Sequence, residues 1–119
     1  MATAETDPHA AHLAAAATPD IRARLEAIQR EVERLLPEAQ RCEGYRMAAY
    51  RGRKVFLYFA PFKKHIGVYP PLCHDAALVA ELGPYRNEKG NLAFPLAEPL
   101  PIELIGRVAV ALHKEIHHA

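Results

Sequence analysis

The residues best suited to binding chemistry lie in the middle of the chain, where basic and aromatic side chains occur together. Residues 44–74 contain no Asp or Glu, although Arg, Lys, Tyr and Phe are frequent there. Ammonium groups and a protonated imidazole bind phosphate or carboxylate groups, and tyrosine rings supply apolar contact beside them. The pattern predicts a site for a small anionic ligand. The residues expected to form this site are Tyr45, Lys63, His65, Tyr69 and Lys89.

Two further pairs of residues, His113 with His117 and Cys73 with His74, could take part in chemistry, but each lacks the additional residues that a complete site needs. His113 and His117 are four residues apart on a predicted helix and share one face, but a defined transition-metal site needs a third or fourth ligand. We expect the helix end that carries these two histidines to be solvated and frayed rather than to form a metal site. Cys73 precedes His74, but no orienting acid is evident for a thiolate and its base. We therefore name no catalytic residue and favour a protein that is not an enzyme.

Long amphipathic helices are predicted near both ends of the chain. Thr18 can cap a helix that begins at Pro19 and ends before Pro37. Its apolar residues, and those of a last helix near the C-terminus, recur at steps of three and four. The two stripes are Ile21, Leu25, Ile28, Val32 and Leu35 in the first helix and Ile105, Val108, Leu112 and Ile116 in the last. A second short helix is expected over residues 38–43.

Short strands are predicted between the long helices. Residues 55–60 and 65–69 are rich in β-branched and aromatic residues and are separated by a short turn, which favours an antiparallel hairpin. A short helix over residues 74–82 and a brief strand over 92–94 follow. The order of elements predicts an α+β domain in which the N- and C-terminal helices pack on a small antiparallel sheet.

Strand alternation sorts the aromatic side chains between the two faces of this sheet. Phe56 and Tyr58 are expected on one face, together with His65 and Tyr69 of the next strand. Gly67 leaves a bare spot on that face, where a ligand or another backbone can approach closely. Two alternatives remain open at this point: the face forms a binding pocket, or the short helix that follows the hairpin covers it.

Composition and charge set the limits of the molecule. The chain has 119 residues, enough for one domain, which we place at residues 18–119 after a disordered, alanine-rich tail at 1–17. A net charge of +1 argues against a strongly basic nucleic-acid module, so nucleic acid is not an expected partner. No run of about 20 apolar residues predicts a membrane span. The two cysteines and the absence of a basic N-terminal region favour a cytoplasmic protein with reduced thiols buried in its core.

Ordered motifs along the chain resemble those of the YdhG-like family of small bacterial proteins. FKKHIGVYP at residues 62–70 resembles the family pattern FKxHIGFYP, and EGYRMAAY at 43–50 is similar to ISYGMPAF. YRNEKGNLAFPL at 85–96 resembles YKxSKGTIQFPL, and the following PLPIELIGRVAVALHKE is similar to PIPxxLIxKIVxFRxKE. The resemblance covers residues 19–116 and implies an α+β fold related in shape to frataxin.

The same resemblance implies iron as a cofactor or cargo, because some members of the family are regarded as frataxin-like iron chaperones. Frataxin-type iron binding uses exposed carboxylates of the first helix and the adjoining edge, since hard iron ions favour oxygen ligands. The matching candidates in this chain are Glu31, Glu33, Glu38 and Glu43. Four arginines interleave with the acidic residues of this region and oppose a bound cation.

Three hypotheses about function follow. The first is a non-enzymatic binding protein with the iron delivery that the resemblance implies. The second is a protein that binds a small phosphate- or carboxylate-bearing ligand through the basic and aromatic middle of the chain. The third is a module that docks on a protein partner and takes no small ligand.

Overall fold

The computed structural model describes residues 7–72, 74–87 and 89–118, without the side chain of His118. The strands β1 to β5 form one antiparallel sheet in chain order. Helices α2 and α4 pack against each other and against the same face of this sheet, which confirms the predicted α+β architecture. The bounds are α1 Ala10–Ala14, α2 Pro19–Leu35, β1 Gln40–Gly44, β2 Met47–Arg51, β3 Val55–Pro61, β4 His65–Tyr69, α3 Ala76–Glu81, β5 Leu92–Pro95 and α4 Ile102–His118.

Helix α2 begins and ends where its sequence predicts. The Ile21 backbone N–H donates a hydrogen bond to Thr18 Oγ1 at 3.1 Å, so Thr18 satisfies one of the free donors of the first turn. Pro19 occupies the first turn, where its missing N–H costs nothing. The apolar stripe of α2 is buried together with that of α4 and the inner residues of the sheet. Burial of these stripes provides most of the stability of helices of this length.

The short helix expected over residues 38–43 is wrong, because β1 occupies Gln40–Gly44. It pairs with β2 through a two-residue turn in which Tyr45 and Arg46 have φ values of 51° and 62°. Two such residues form the hairpin turn that best matches the twist of its strands. A six-residue helix would make few hydrogen bonds to offset the cost of nucleation. The hairpin instead forms hydrogen bonds along the whole length of β1 and β2.

The expected position of Phe56 on the Tyr58 face is also wrong. The register between β2 and β3 shifts at Tyr50/Arg51, since Tyr50 pairs with Leu57 and Arg51 pairs with Val55. The shift leaves Phe56 as an extra residue in β3, and a bulge of this kind breaks the strict alternation of side chains. Phe56 and Leu57 are both fully buried, and the Phe56 ring lies 5.0 Å from the His113 ring of α4.

The N-terminal segment differs from the disordered tail expected there. Residues 1–6 lie outside the described part of the chain, but residues 7–17 contain helix α1 and pack against the domain. His9 is fully buried, and Leu13 belongs to the hydrophobic core. Tertiary contacts therefore hold a helix that is too short to be stable in isolation.

Candidate functional site

The face of the sheet turned away from α2 and α4, which we call the outer face, carries most of the predicted site. Phe59, Ile66 and Val68 point into the core, and the residues that alternate with them point outward. Tyr58 pairs directly with Tyr69 of β4, so both side chains start from neighbouring positions on the outer face. The outer residues of the three central strands are Met47, Ala49, Arg51, Tyr58, Ala60, His65, Gly67 and Tyr69.

Helix α3 does not cover this face. Its Glu81 accepts a hydrogen bond from Arg107 Nη1 of α4 at 2.9 Å, and the His74 backbone N–H before it donates to Glu115 of α4. Its Leu78 side chain is buried in the core on the helix side of the sheet. The expected alternative in which the short helix covers this face is therefore wrong, and the face is left uncovered by α3.

Glycines on the outer face allow aromatic rings to lie across the strands. A Cβ atom on Gly67 would lie 2.8 Å from Phe62 Cε2 and 2.9 Å from Tyr69 Cε2, so both rings cover the backbone of β4. A Cβ atom on Gly44 would lie 2.9 Å from Tyr58 Cε2. The missing side chains are therefore what permits the close approach of these rings.

The rings on the outer face, which we call the aromatic cluster, make two ring-to-ring contacts. Tyr45 contacts Tyr58 with ring centroids 5.2 Å apart, and Phe62 stacks on His65 at 5.0 Å with an angle of 21° between the planes. Its members are Tyr45, Tyr58, Phe62, His65 and Tyr69. Within the described part of the chain, the exposed large hydrophobic side chains are Tyr45, at 82%, and Phe62, at 43%. Both belong to this cluster, and exposed apolar surface of this kind commonly marks a binding site.

Basic side chains lie at the edge of the aromatic cluster. Arg46 is in the β1–β2 turn, and Lys63 and Lys64 are in the β3–β4 turn. These two turns are at the same end of the sheet, because each follows an odd-numbered strand of an antiparallel series. All three residues are exposed, and no carboxylate among the described residues forms an ion pair with them. The cluster therefore has an adjacent positive charge that is available to an anion.

The structure brings four of the five predicted ligand-binding residues together. Tyr45, Lys63 and His65 lie at one end of the sheet, and Tyr69 reaches them because its ring lies over Gly67. Lys89 precedes β5 and lies beyond the opposite end of β4, about 15 Å away along a five-residue strand.

Sequence reasoning left Arg46, Tyr58 and Phe62 out of the predicted site. The alternation pattern already placed Tyr58 on this face, but the contribution of the other two depends on turn geometry. Arg46 is exposed in a turn with positive φ, and Phe62 folds back onto His65. No residue pattern in the two turns signals either conformation.

The four carboxylates implied for iron are not gathered into one site. Glu31 bonds to Arg34 Nη2 at 2.8 Å, and Glu43 bonds to His12 at 2.8 Å. Glu38 is exposed in the loop after α2, beside another cleft. Across the described ranges, no three His, Cys, Asp or Glu side chains are placed to hold a metal ion.

Glu33, the remaining carboxylate of that set, is part of a structural network. It accepts hydrogen bonds from Arg41 Nε at 2.7 Å and from the buried Tyr50 hydroxyl at 2.6 Å. Burial opposes the charge of Glu33, but these hydrogen bonds outweigh it and hold the pKa of its carboxyl below the usual value. Its charge is already compensated within the protein, which weakens it as a metal ligand.

A cleft of about 550 Å³ lies on the helix side of the sheet, between the ends of α2 and α4 and the β2–β3 turn. His113 and His117 line it with ring centroids 4.4 Å apart, and His117 Nδ1 donates to the His113 carbonyl oxygen at 2.9 Å. Both rings pack against Phe56. The expected frayed, solvated helix end is therefore wrong. Cys73, which the sequence paired with His74, lies outside the described residues.

The comparisons with known proteins define the fold class. No protein-family model matches the chain, and no curated protein matches it. A solved structure does match: the crystal structure of YdhG, a DUF1801-family protein from Bacillus subtilis. The match has a TM-score of 0.75 at 19% sequence identity and covers 87% of this chain and 86% of that one.

This match confirms, at the level of the fold, the resemblance to the YdhG-like family that the motifs indicated. The fold is the five-stranded antiparallel sheet with N- and C-terminal helices on one face. In the described part of the chain, no helix has the length and apolar character required to span a membrane.

Proposed function

We propose that this protein is a non-enzymatic binding protein whose outer face binds an anionic ligand that also carries a planar ring. The observation that carries the proposal is the aromatic cluster itself, in which Tyr45 is 82% exposed next to Arg46 and at the same end of the sheet as Lys63. A monomer gains nothing from an exposed ring next to charges that lack a partner. A ligand that covers the ring and pairs with the charges gains from both contacts.

The two kinds of contact reinforce each other in this proposal. Stacking or edge contact with an aromatic ring contributes about 0.5–1.5 kcal/mol beyond simple burial. A hydrogen bond between a charged donor and an anion contributes about 1.5–3 kcal/mol. Phosphate alone would use the charges and leave the rings exposed, so a ligand with both groups should bind more tightly than either group alone.

The geometry does not favour the iron delivery that the family resemblance implies. Glu31, Glu33 and Glu43 are each engaged by a basic side chain, and they do not converge with Glu38. An anionic ligand at the outer face is better supported, because the basic groups there have no carboxylate partner within the described residues.

The test is a titration of the ¹⁵N-labelled protein with phenyl phosphate, inorganic phosphate and phenol, followed by NMR. We expect saturable shifts of amides in residues 44–47 and 58–69 with phenyl phosphate, and weaker binding of the two fragments. Lys63→Ala/Lys64→Ala should weaken phenyl phosphate binding several-fold. Arg30→Ala/Lys114→Ala, which removes two exposed charges from α2 and α4, is the matched control and should not weaken it. Shifts confined to the His113 and His117 cleft, or equal binding of phenol, would contradict the proposal.

A further inference from the structure

We infer that the ligand of the outer face is a single-stranded nucleic acid, an inference that rests on the proposed function. The outer face is open and about 20 Å across its five strands. Small ligands are usually held in concave pockets that bury most of their surface. A flexible polymer that repeats a ring and an anion can instead cover a broad face through several weak contacts.

The rings of the aromatic cluster are arranged as a stacking platform. Tyr45 is at one side of the cluster in contact with Tyr58, and Tyr58 is paired across the strands with Tyr69. Phe62 lies on His65 at the other side of Gly67 and remains 43% exposed. Unpaired bases stack on aromatic side chains of open sheets, whereas the bases of a duplex are already stacked on each other. The arrangement therefore favours a single strand over a duplex.

The outer face is free of acidic groups in the described residues. The outward positions of the central strands hold apolar, aromatic and basic residues, with Arg51 at the end opposite Lys63. Glu43 of the edge strand bonds to His12 of α1, and so belongs to the helix side of the sheet. A phosphate chain can cross the face between basic groups at both ends without meeting a carboxylate.

The net charge of +1 does not oppose this inference, because the charges are separated in space. The carboxylates that form ion pairs lie on the helices and on the helix side of the sheet, where they pair with arginines and His12. The basic groups at the outer face are outside these pairs. Phosphate binding depends on the local density of basic groups rather than on the total charge of the chain.

The experiment is fluorescence anisotropy with labelled single-stranded DNA and RNA of one to eight nucleotides and a duplex of the same sequence, at several salt concentrations. Affinity should rise with length and level off at about four nucleotides or slightly more. The duplex should bind more weakly than the single strand. Tyr45→Ala should weaken binding about 5- to 100-fold, and Tyr45→Phe should retain most of it.

Two variants separate the charge contribution from stacking. Lys63→Ala/Lys64→Ala should reduce the slope of log affinity against log salt by about 1.4, because each phosphate contact on a single strand contributes about 0.7. Arg30→Ala, on the opposite layer, should leave the slope unchanged.

The outcomes distinguish this inference from the proposed function. If phenyl phosphate binds the outer face but longer oligonucleotides bind no better than a mononucleotide, the inference is wrong and the proposed function stands. If neither binds, both are wrong. If polyglutamate competes as well as the oligonucleotide and Tyr45→Ala has no effect, the face recognises charge alone and a nucleic acid is not its specific ligand.

Discussion

His9 is the residue whose environment departs most from what its neighbours in the sequence suggest. It is fully buried, and its Nε2 lies 2.8 Å from the Ala49 carbonyl oxygen. Its Nδ1 lies 2.8 Å from Gln29 Nε2, so Gln29 donates to Nδ1 and Nε2 donates to the carbonyl. Tyr50 and Phe59 enclose the ring edge to face. One imidazole thus joins the N-terminal segment to α2 and β2.

The first prediction concerns the response of this imidazole to pH. Burial lowers the pKa of His9 below its ordinary value of 6.5, although the hydrogen bond to Ala49 acts in the opposite direction. The unfolded chain therefore binds a proton more readily, and the free energy of unfolding should fall as pH decreases below about 6.5. Urea denaturation at pH 8, 7, 6 and 5 measures this dependence.

His9→Gln should flatten the pH dependence between 7 and 5, and His12→Ala, at a half-buried neighbour on the same segment, should not. The other charged groups near His9 are Asp7, Glu33 and Arg41, and the pKa of Glu33 is held below its ordinary value of 4.5. A slope that is unchanged in His9→Gln would show that another group carries the effect.

At the scale of elements, the Glu33 network ties α2 to the first two strands. Arg41 of β1 binds Glu33 of α2 with two nitrogens and also bonds to Asp7, and Tyr50 of β2 donates its hydroxyl to the same carboxylate. Burial raises the pKa of the Tyr50 hydroxyl, and its bond to Glu33 raises it further, so Tyr50 remains a donor. Each element loses a partner if this carboxylate is lost.

The second prediction tests this tie with Tyr50→Phe. Removal of the hydroxyl should lower the free energy of unfolding by about 1.5–3 kcal/mol, because one part-buried hydrogen bond to a charged group is lost. The pKa of folded Glu33 is held below its ordinary value of 4.5, so its contribution to stability is lost as pH falls through that folded pKa. Without the Tyr50 donor the folded pKa of Glu33 is less depressed, so this acid loss should be smaller and should level off at a higher pH.

The matched control for Tyr50→Phe is Tyr85→Phe, since no hydrogen bond from the Tyr85 hydroxyl is present among the described residues. Thermal and acid denaturation of both variants should separate them. If both variants lose the same stability, the Glu33 network does not hold the elements together.

Local sequence patterns predicted the elements whose signals are local. The cap at Thr18 and the stripe of α2 act within the helix, so both could be predicted before the structure. Strand β1 could not, because its turn at Tyr45 and Arg46 lacks the Gly or Asn that positive φ usually requires. The folded conformation of residues 7–17 depends on the hydrogen bonds of His9 to Ala49 and Gln29, which are distant in the sequence. Local propensity does not reveal such contacts.

The composition of the outer face could be predicted from the sequence, but its geometry only in part. Alternation correctly placed Tyr58, His65 and Tyr69 on one face, because β4 and the end of β3 are regular. The bulge at Phe56 and the distance of Lys89 depend on strand register and on the length of β4, and composition contains neither.

At the scale of the whole molecule, the near-zero net charge conceals an uneven distribution of charge between the two sides of the sheet. Ion-paired carboxylates belong to the helix side, and basic groups without a described carboxylate partner border the outer face. A molecule of this kind presents a positive face to a charged surface even when its total charge is only +1.

The third prediction follows from this separation. At pH 7 and low salt the protein should be retained by a cation-exchange resin more strongly than a net charge of +1 implies. Lys63→Ala/Lys64→Ala should shorten retention much more than Arg30→Ala/Lys114→Ala, although each pair removes two positive charges. Equal losses of retention would mean that the resin senses total charge and that the outer face has no special role.

The position of the tyrosines has an optical consequence. The chain has five tyrosines and no tryptophan, and Tyr45, Tyr58 and Tyr69 all belong to the aromatic cluster. Most of the residues that emit ultraviolet fluorescence in this protein therefore sit where the proposed ligand would stack. The unlabelled protein contains its own reporter of occupancy, and ligand-induced quenching can be read without a dye attached to either partner.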